Sequence, residues 1–160
     1  MYTHVLVPLD GSPAAEAVLP HAQALAEKFQ ARVTIIRVTV APETVIAETA
    51  GGGAPGVPEP GPLIDPTPVV EAEQQEASTY LRRITDRLRG QGLQVDVEAP
   101  EGPPAETIVE RAQALGVDLI AMSTHARGGL GRLIFGSTGD AVLRHAPCPV
   151  LLVRVEAPES

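Results

Sequence analysis

Met122-Ser123-Thr124-His125-Ala126-Arg127-Gly128-Gly129-Leu130-Gly131-Arg132-Leu133-Ile134-Phe135-Gly136-Ser137 follows an apolar, strand-like run and precedes a short, helix-like one. A strand, a glycine-rich loop and a helix in that order form the unit with which α/β proteins cradle phosphate. The glycines let the backbone approach an anion closely, and a helix start presents free amide N–H groups. Arg127 and Arg132 add positive charge, and Gly136-Ser137 sets amides and a hydroxyl at the helix start. The stretch therefore points to a nucleotide.

Outward from this stretch, five short runs rich in Val, Leu and Ile alternate with helical periods, the pattern of βαβ units and a parallel sheet. The runs place strands near 3–9, 32–39, 93–99, 118–123 and 149–154. Ala15, Val18, Ala22, Leu25 and Phe29 share one helical face, with Ser12 as cap and Pro13 in the first turn. Thr67-Pro68 opens a second helix through Val70, Ala77, Leu81, Ile84 and Leu88. Pro103-Pro104 opens a third, which Gly116 stops, and a fourth runs from about Ser137, itself a suitable cap, to His145.

Strands covered on both faces read as continuous apolar runs, whereas half-exposed strands alternate. Leu93-Gln94-Val95-Asp96-Val97-Glu98 alternates and belongs at an edge, while Val5-Leu6-Val7 and Leu119-Ile120-Ala121-Met122 belong at the centre. Pro149-Val150-Leu151-Leu152-Val153 is apolar on both faces at a position that is commonly the rim. A bare apolar edge invites pairing, so a homodimer through 149–154 is expected. Ala41 to Pro68 holds seven prolines and five glycines and reads as a mobile loop.

The chain has 160 residues, a length that suits one domain. It carries one cysteine, Cys148, which reads as a small buried filler and excludes an internal disulfide framework. No run approaches the roughly 20 apolar residues that span a bilayer, and the start, Met1-Tyr2-Thr3-His4, lacks the pattern of a secretory leader. The expected location is cytoplasmic. A net charge of −8 argues against nucleic acid and anionic membranes. The segment from Ala121 to Arg154 is the exception, with Arg127, Arg132, Arg144 and Arg154 against Asp140 alone. Such a local cationic patch suits a small anion.

In an open parallel sheet, ligands bind beyond the carboxyl ends of the strands, where the strand order reverses. Pro8-Leu9-Asp10-Gly11 follows the first strand and Met122-Ser123-Thr124-His125 follows the fourth. If these strands are neighbours, both loops open into one crevice, with Asp10 accepting hydrogen bonds from a base or sugar and also shaping the turn after the strand. His4, His21 and His145 are scattered without ligand spacing, so no zinc site is expected from them, and His125, with no partner visible in sequence, reads as a loop-packing residue rather than an acid or base.

Taken together, Val5-Leu6-Val7-Pro8-Leu9-Asp10-Gly11-Ser12, Gly116-Val117-Asp118-Leu119-Ile120, the glycine loop, and Leu143-Arg144-His145-Ala146-Pro147-Cys148-Pro149-Val150-Leu151-Leu152-Val153 resemble the universal stress protein family. The resemblance covers all but the 41–68 loop. It implies an open five-stranded parallel sheet, order 3-2-1-4-5, with helices on both faces in a Rossmann-like α/β fold. It also implies dimers through the fifth strands and, in ATP-binding members, a Gly-x2-Gly-x9-Gly-Ser/Thr loop. Here Ser123 and Ala126 stand where the family has its first two glycines, while Gly136 and Ser137 match. If position 126 must be left-handed, alanine costs roughly 1–2 kcal/mol there. The family pattern carries over Pro8, Leu9 and Asp10 on the nucleoside side, Val38 as a backbone contact to adenine, Met122 beside the base, and Thr138 in the phosphate nest. It implies ATP, with Mg2+ near Ser137.

Three functions compete: a nucleotide-responsive stress regulator, a slow ATP hydrolase, and a homodimeric interaction module that binds no nucleotide. Hydrolysis needs a held metal and a group that orients the nucleophile. Only Ser137 and Asp140 near the loop suit the first role, and no base accompanies them.

Overall fold

The computed structural model describes residues 1–39, 65, 67–125 and 136–155. Most of the 41–68 segment, together with Ala126, Arg127, Arg132 and the glycines between them, lies outside the described residues. Thr67 and Pro68, the end of the expected loop, are already helical.

The strands are β1 (His4–Pro8), β2 (Arg32–Ile36), β3 (Val95–Glu98), β4 (Leu119–His125) and β5 (Val150–Val155). They form one parallel sheet in the order β3-β2-β1-β4-β5. β3 lies at one rim, as its alternation requires, and β5 at the other. The order reverses between β1 and β4. The helices are α1 (Leu19–Phe29), α2 (Thr67–Gly90), α3 (Pro104–Leu115) and α4 (Ser137–His145).

The period of two along the strands divides the core. Val5, Val7, Val33, Ile35 and Ala121 turn toward α1 and α2, where Ala22, Ala26, Leu81 and Ile84 meet them. Leu6, Ile36, Ile120 and Met122 turn the other way, against Ile108 and Ala112 of α3 and Val142 of α4. Helices thus cover both faces. Cys148 is a free thiol, half-buried against this second cluster rather than fully enclosed.

Several boundaries differ from the sequence expectation: β2 ends at Ile36 instead of near 39, and β3 begins at Val95 instead of near 93. The segment after Ser12 first makes a 3-10 turn, Ala15–Val18, before α1 begins at Leu19. The N-cap of this turn is Ala14 rather than Ser12, although Ser12 Oγ accepts the Ala15 N–H at 3.1 Å. β4 runs to His125 instead of ending near 123, because β5 pairs with it through Ser123↔Val153, Thr124↔Arg154 and His125↔Val155. Polar residues hide a strand from a hydrophobicity reading, yet backbone pairing is indifferent to them.

At the amino ends of the strands, Asp118 ties β4 to β1. Its carboxylate accepts the Thr3 N–H at 2.8 Å, the Thr3 hydroxyl at 2.7 Å and the His4 N–H at 3.1 Å. Burial alone would raise its pKa, but these hydrogen bonds outweigh it and hold the carboxyl below the ordinary range. The anchor fixes the two central strands at the end opposite the ligand side.

Candidate functional site

The ladder between β1 and β4 pairs Val5 with Leu119 and Leu6 with Ile120, then ends. The cause lies in Pro8. Leu9 donates its N–H to Ile36 O on β2 at 2.9 Å. By the alternation of a strand, position 8 would donate toward β4, and proline has nothing to donate. Beyond Leu6 the central strands part, and a cavity of about 310 Å³ opens there.

Nine of the eleven sequence-selected residues line this cavity: Pro8, Leu9, Asp10, Val38, Met122, Ser123, Gly136, Ser137 and Thr138. Ala126 and Arg127 lie outside the described residues. The wall also includes Ala15, Ile36, Pro104, Ile108, Thr124 and Gly139, which the sequence reading did not select as ligand contacts. A signal for two of them existed. Ile36 and Val38 share one strand face, as do Met122 and Thr124, by the period of two.

The cavity has an apolar side and a polar side. Ile36, Val38, Ile108 and Met122 form the apolar side. The polar lining includes the start of α4, where Gly136 (φ −56°, ψ 158°) is the N-cap and no described side chain caps the helix. Ser137 is therefore the first helical residue rather than the cap. The Asp140 N–H is bonded to Gly136 O at 3.0 Å, so the amides of Ser137, Thr138 and Gly139 precede the intrahelical ladder. They give that end of the cavity a partial positive charge. Arg144 Nε holds Asp140 Oδ2 at 2.8 Å on the next turn, which engages the carboxylate of the helix's first turn.

Thr124 is 8% exposed, and its hydroxyl has no hydrogen-bond partner among the described residues. A buried, unpaired hydroxyl is costly. Its position in the wall makes it a natural point of contact for a polar ligand. Ser123, its neighbour, is already engaged. Its Oγ lies 2.9 Å from both Ala14 O and Ala15 O, which share its one proton, and so pins β4 to the 3-10 turn.

Asp10 shapes its own turn, as expected. Its Oδ1 accepts the Ser12 N–H at 2.8 Å, leaving Oδ2 without a described partner and the residue exposed at the cavity mouth. Beneath this turn lies a buried arginine that the sequence reading passed over. Arg37 follows β2 directly and precedes Val38; its guanidinium sits 5.2 Å from the centre of the Tyr80 ring and 3.3 Å from Glu76 of α2. Arg83 lies at 5.3 Å from the same ring. The Tyr80 phenol is pushed up to about 12, first by burial and then by the negative charge of Glu16.

Among the described residues no group of three or more His, Cys, Asp or Glu is gathered to hold a metal. No described helix is long and apolar enough to cross a membrane.

The family model of universal stress proteins matches residues 1–154. The chain is 32% identical over 154 residues to the universal stress protein MJ0531 of Methanocaldococcus jannaschii, covering 96% of this chain and 83% of that one. Among solved structures, the hypothetical protein MJ0577, the subject of a structure-based assignment of biochemical function, aligns with a TM-score of 0.76 at 26% identity over 97% of both chains. Two more distant ones share the fold: a universal stress protein in complex with cAMP (TM-score 0.62, 21% identity, 96% of this chain and 97% of that one) and an Arabidopsis thaliana family protein with AMP bound (0.65, 14%, 97% and 93%). With a match across nearly its whole length and the sheet order that the resemblance implied, this chain belongs to the universal stress protein family.

Proposed function

We propose that the cavity between β1 and β4 binds an adenine nucleotide, ATP with Mg2+, and that its occupancy makes the protein a nucleotide-responsive regulator in the cytoplasm. The observation that carries this reading is the union, in one hollow, of an apolar slot, a helix start with no described side-chain cap and a Thr124 hydroxyl with no described partner. Ile36, Val38, Ile108 and Met122 suit the flat face of a base. Asp10 Oδ2 suits a ribose or base donor. The amides of Ser137, Thr138 and Gly139 suit phosphate oxygens, and the Ser137 hydroxyl suits a phosphate-bound Mg2+.

The family relatives with cAMP and AMP support an adenine ligand. Ser123 departs from the family glycine, but its hydroxyl is spent on the 3-10 turn, so its presence does not argue against a ligand. The apolar rim strand β5, whose residues Val150 to Val153 are only half-buried in one chain, supports a homodimer joined through it. Mass spectrometry of small molecules released from the purified, denatured protein tests the ligand. Stoichiometric ATP supports the reading, and a different stoichiometric metabolite overturns it.

A further inference from the structure

Arg37 is a buried cation with no role in the site as described so far. It is 8% exposed, and its Nη1 has no hydrogen-bond partner among the described residues. Burying an unpaired guanidinium donor is unfavourable, so hydrogen bonding alone does not account for its position. What accounts for it is packing. The Tyr80 ring lies against the guanidinium at 5.2 Å, Glu76 Oε2 holds Nη2 at 3.3 Å, and Nη1 lies beside Gly11, where a side chain would otherwise go. A Cβ on Gly11 would stand 2.9 Å from Nη1. The guanidinium thus occupies the space that a side chain at residue 11 would take.

The neighbours of the contact give it a direction. Asp10 is at the cavity mouth, one residue before Gly11, and Val38 lines the cavity one residue after Arg37. Glu76 and Tyr80 both belong to α2, which reaches the cavity through no residue of its own. Arg37 is thus a direct mechanical link between α2 and the nucleoside side of the site.

We propose that Arg37 is a positioning residue: its guanidinium, clamped by Tyr80 and Glu76, props the Asp10-Gly11-Ser12 turn so that the Asp10 carboxylate faces the cavity, and it couples the docking of α2 to ligand affinity. The coupling to affinity rests on the nucleotide reading above; the propping of the turn does not. Titratable and charged groups around the link are Asp10 from the turn, Glu16 from the 3-10 turn, and Glu76, Tyr80 and Arg83 from α2.

The test uses the full chain and two readouts. By NMR, Arg37→Met speeds amide exchange at Ser12, whose N–H is held by Asp10, by about tenfold and leaves Leu6 in β1 unchanged. By titration with Mg-ATP, Arg37→Met raises Kd about five- to tenfold in the wild-type background and less than about twofold in an Asp10→Ala background. Glu76→Ala, at a residue whose side chain is 68% exposed and whose loss leaves the core intact, moves both readouts the same way by a smaller factor. Equal exchange at Ser12 in wild type and both variants overturns the proposal, as does a full Arg37→Met effect on Kd when Asp10 is already alanine. Faster exchange at Ser12 in a protein that binds no Mg-ATP upholds the propping and defeats the nucleotide reading instead.

Discussion

Gly11 and Arg37 are in contact across the top of the sheet: a Cβ built on Gly11, whose φ is +88°, would lie 2.9 Å from Arg37 Nη1. The turn after β1 therefore favours glycine for its backbone, and a side chain there would also make the guanidinium shift.

Gly11→Ala accordingly destabilises the fold by about 1–3 kcal/mol, the range for a strained backbone position. Combining it with Arg37→Ala returns the steric part and leaves the backbone part, so the two changes are not additive. Urea unfolding midpoints of the single and double variants measure this. Strict additivity would mean that the contact is not felt in solution.

Ser123→Ala removes the hydroxyl that bridges β4 to Ala14 O and Ala15 O. The expected loss is about 1 kcal/mol, the net worth of a typical internal hydrogen bond. Ser123→Gly, which restores the family residue, costs more because it also frees the backbone of a strand. A Ser123→Gly protein as stable as wild type would contradict the bridge.

Acid weakens the protein in two stages. His4, whose Nε2 meets Thr34 Oγ1 at 2.7 Å, has its pKa lowered by burial and then by Arg32. A histidine kept neutral in the fold takes up a proton more readily when unfolded, so its contribution is complete above about pH 6.5 and declines as pH falls below it. Asp118 is depressed by its hydrogen bonds from Thr3 and His4. Its contribution is complete above the ordinary carboxylate value near 4 and is lost as pH falls through its lower folded pKa. Thermal melts across pH 3 to 8 show both declines, and His4→Gln removes the first.

How much could be read from residues alone follows from where the determining partners lie. Pro103-Pro104 and Gly116 bound α3 because their signals are local, and Leu93 to Glu98 announced an edge strand by its own alternation. Asp10 and Gly136-Ser137 meet in one cavity as the strand order required. Arg37 was illegible because its partners, Gly11, Glu76 and Tyr80, are distant in sequence and only folding brings them together. The last residues of β4 were missed for a similar reason, since β5 makes them a strand. Thr124 shares a face with Met122, but only the fold shows that its hydroxyl is unpaired.

The most direct measurement of the central claim is a 15N-resolved NMR titration of the full chain with Mg-ATP. The account predicts saturable shifts that are largest at the Ser137, Thr138 and Gly139 amides, with Ser12 and Val38 moving on the same binding curve. Unshifted amides at the start of α4 at millimolar nucleotide, or shifts confined to another surface, would contradict it.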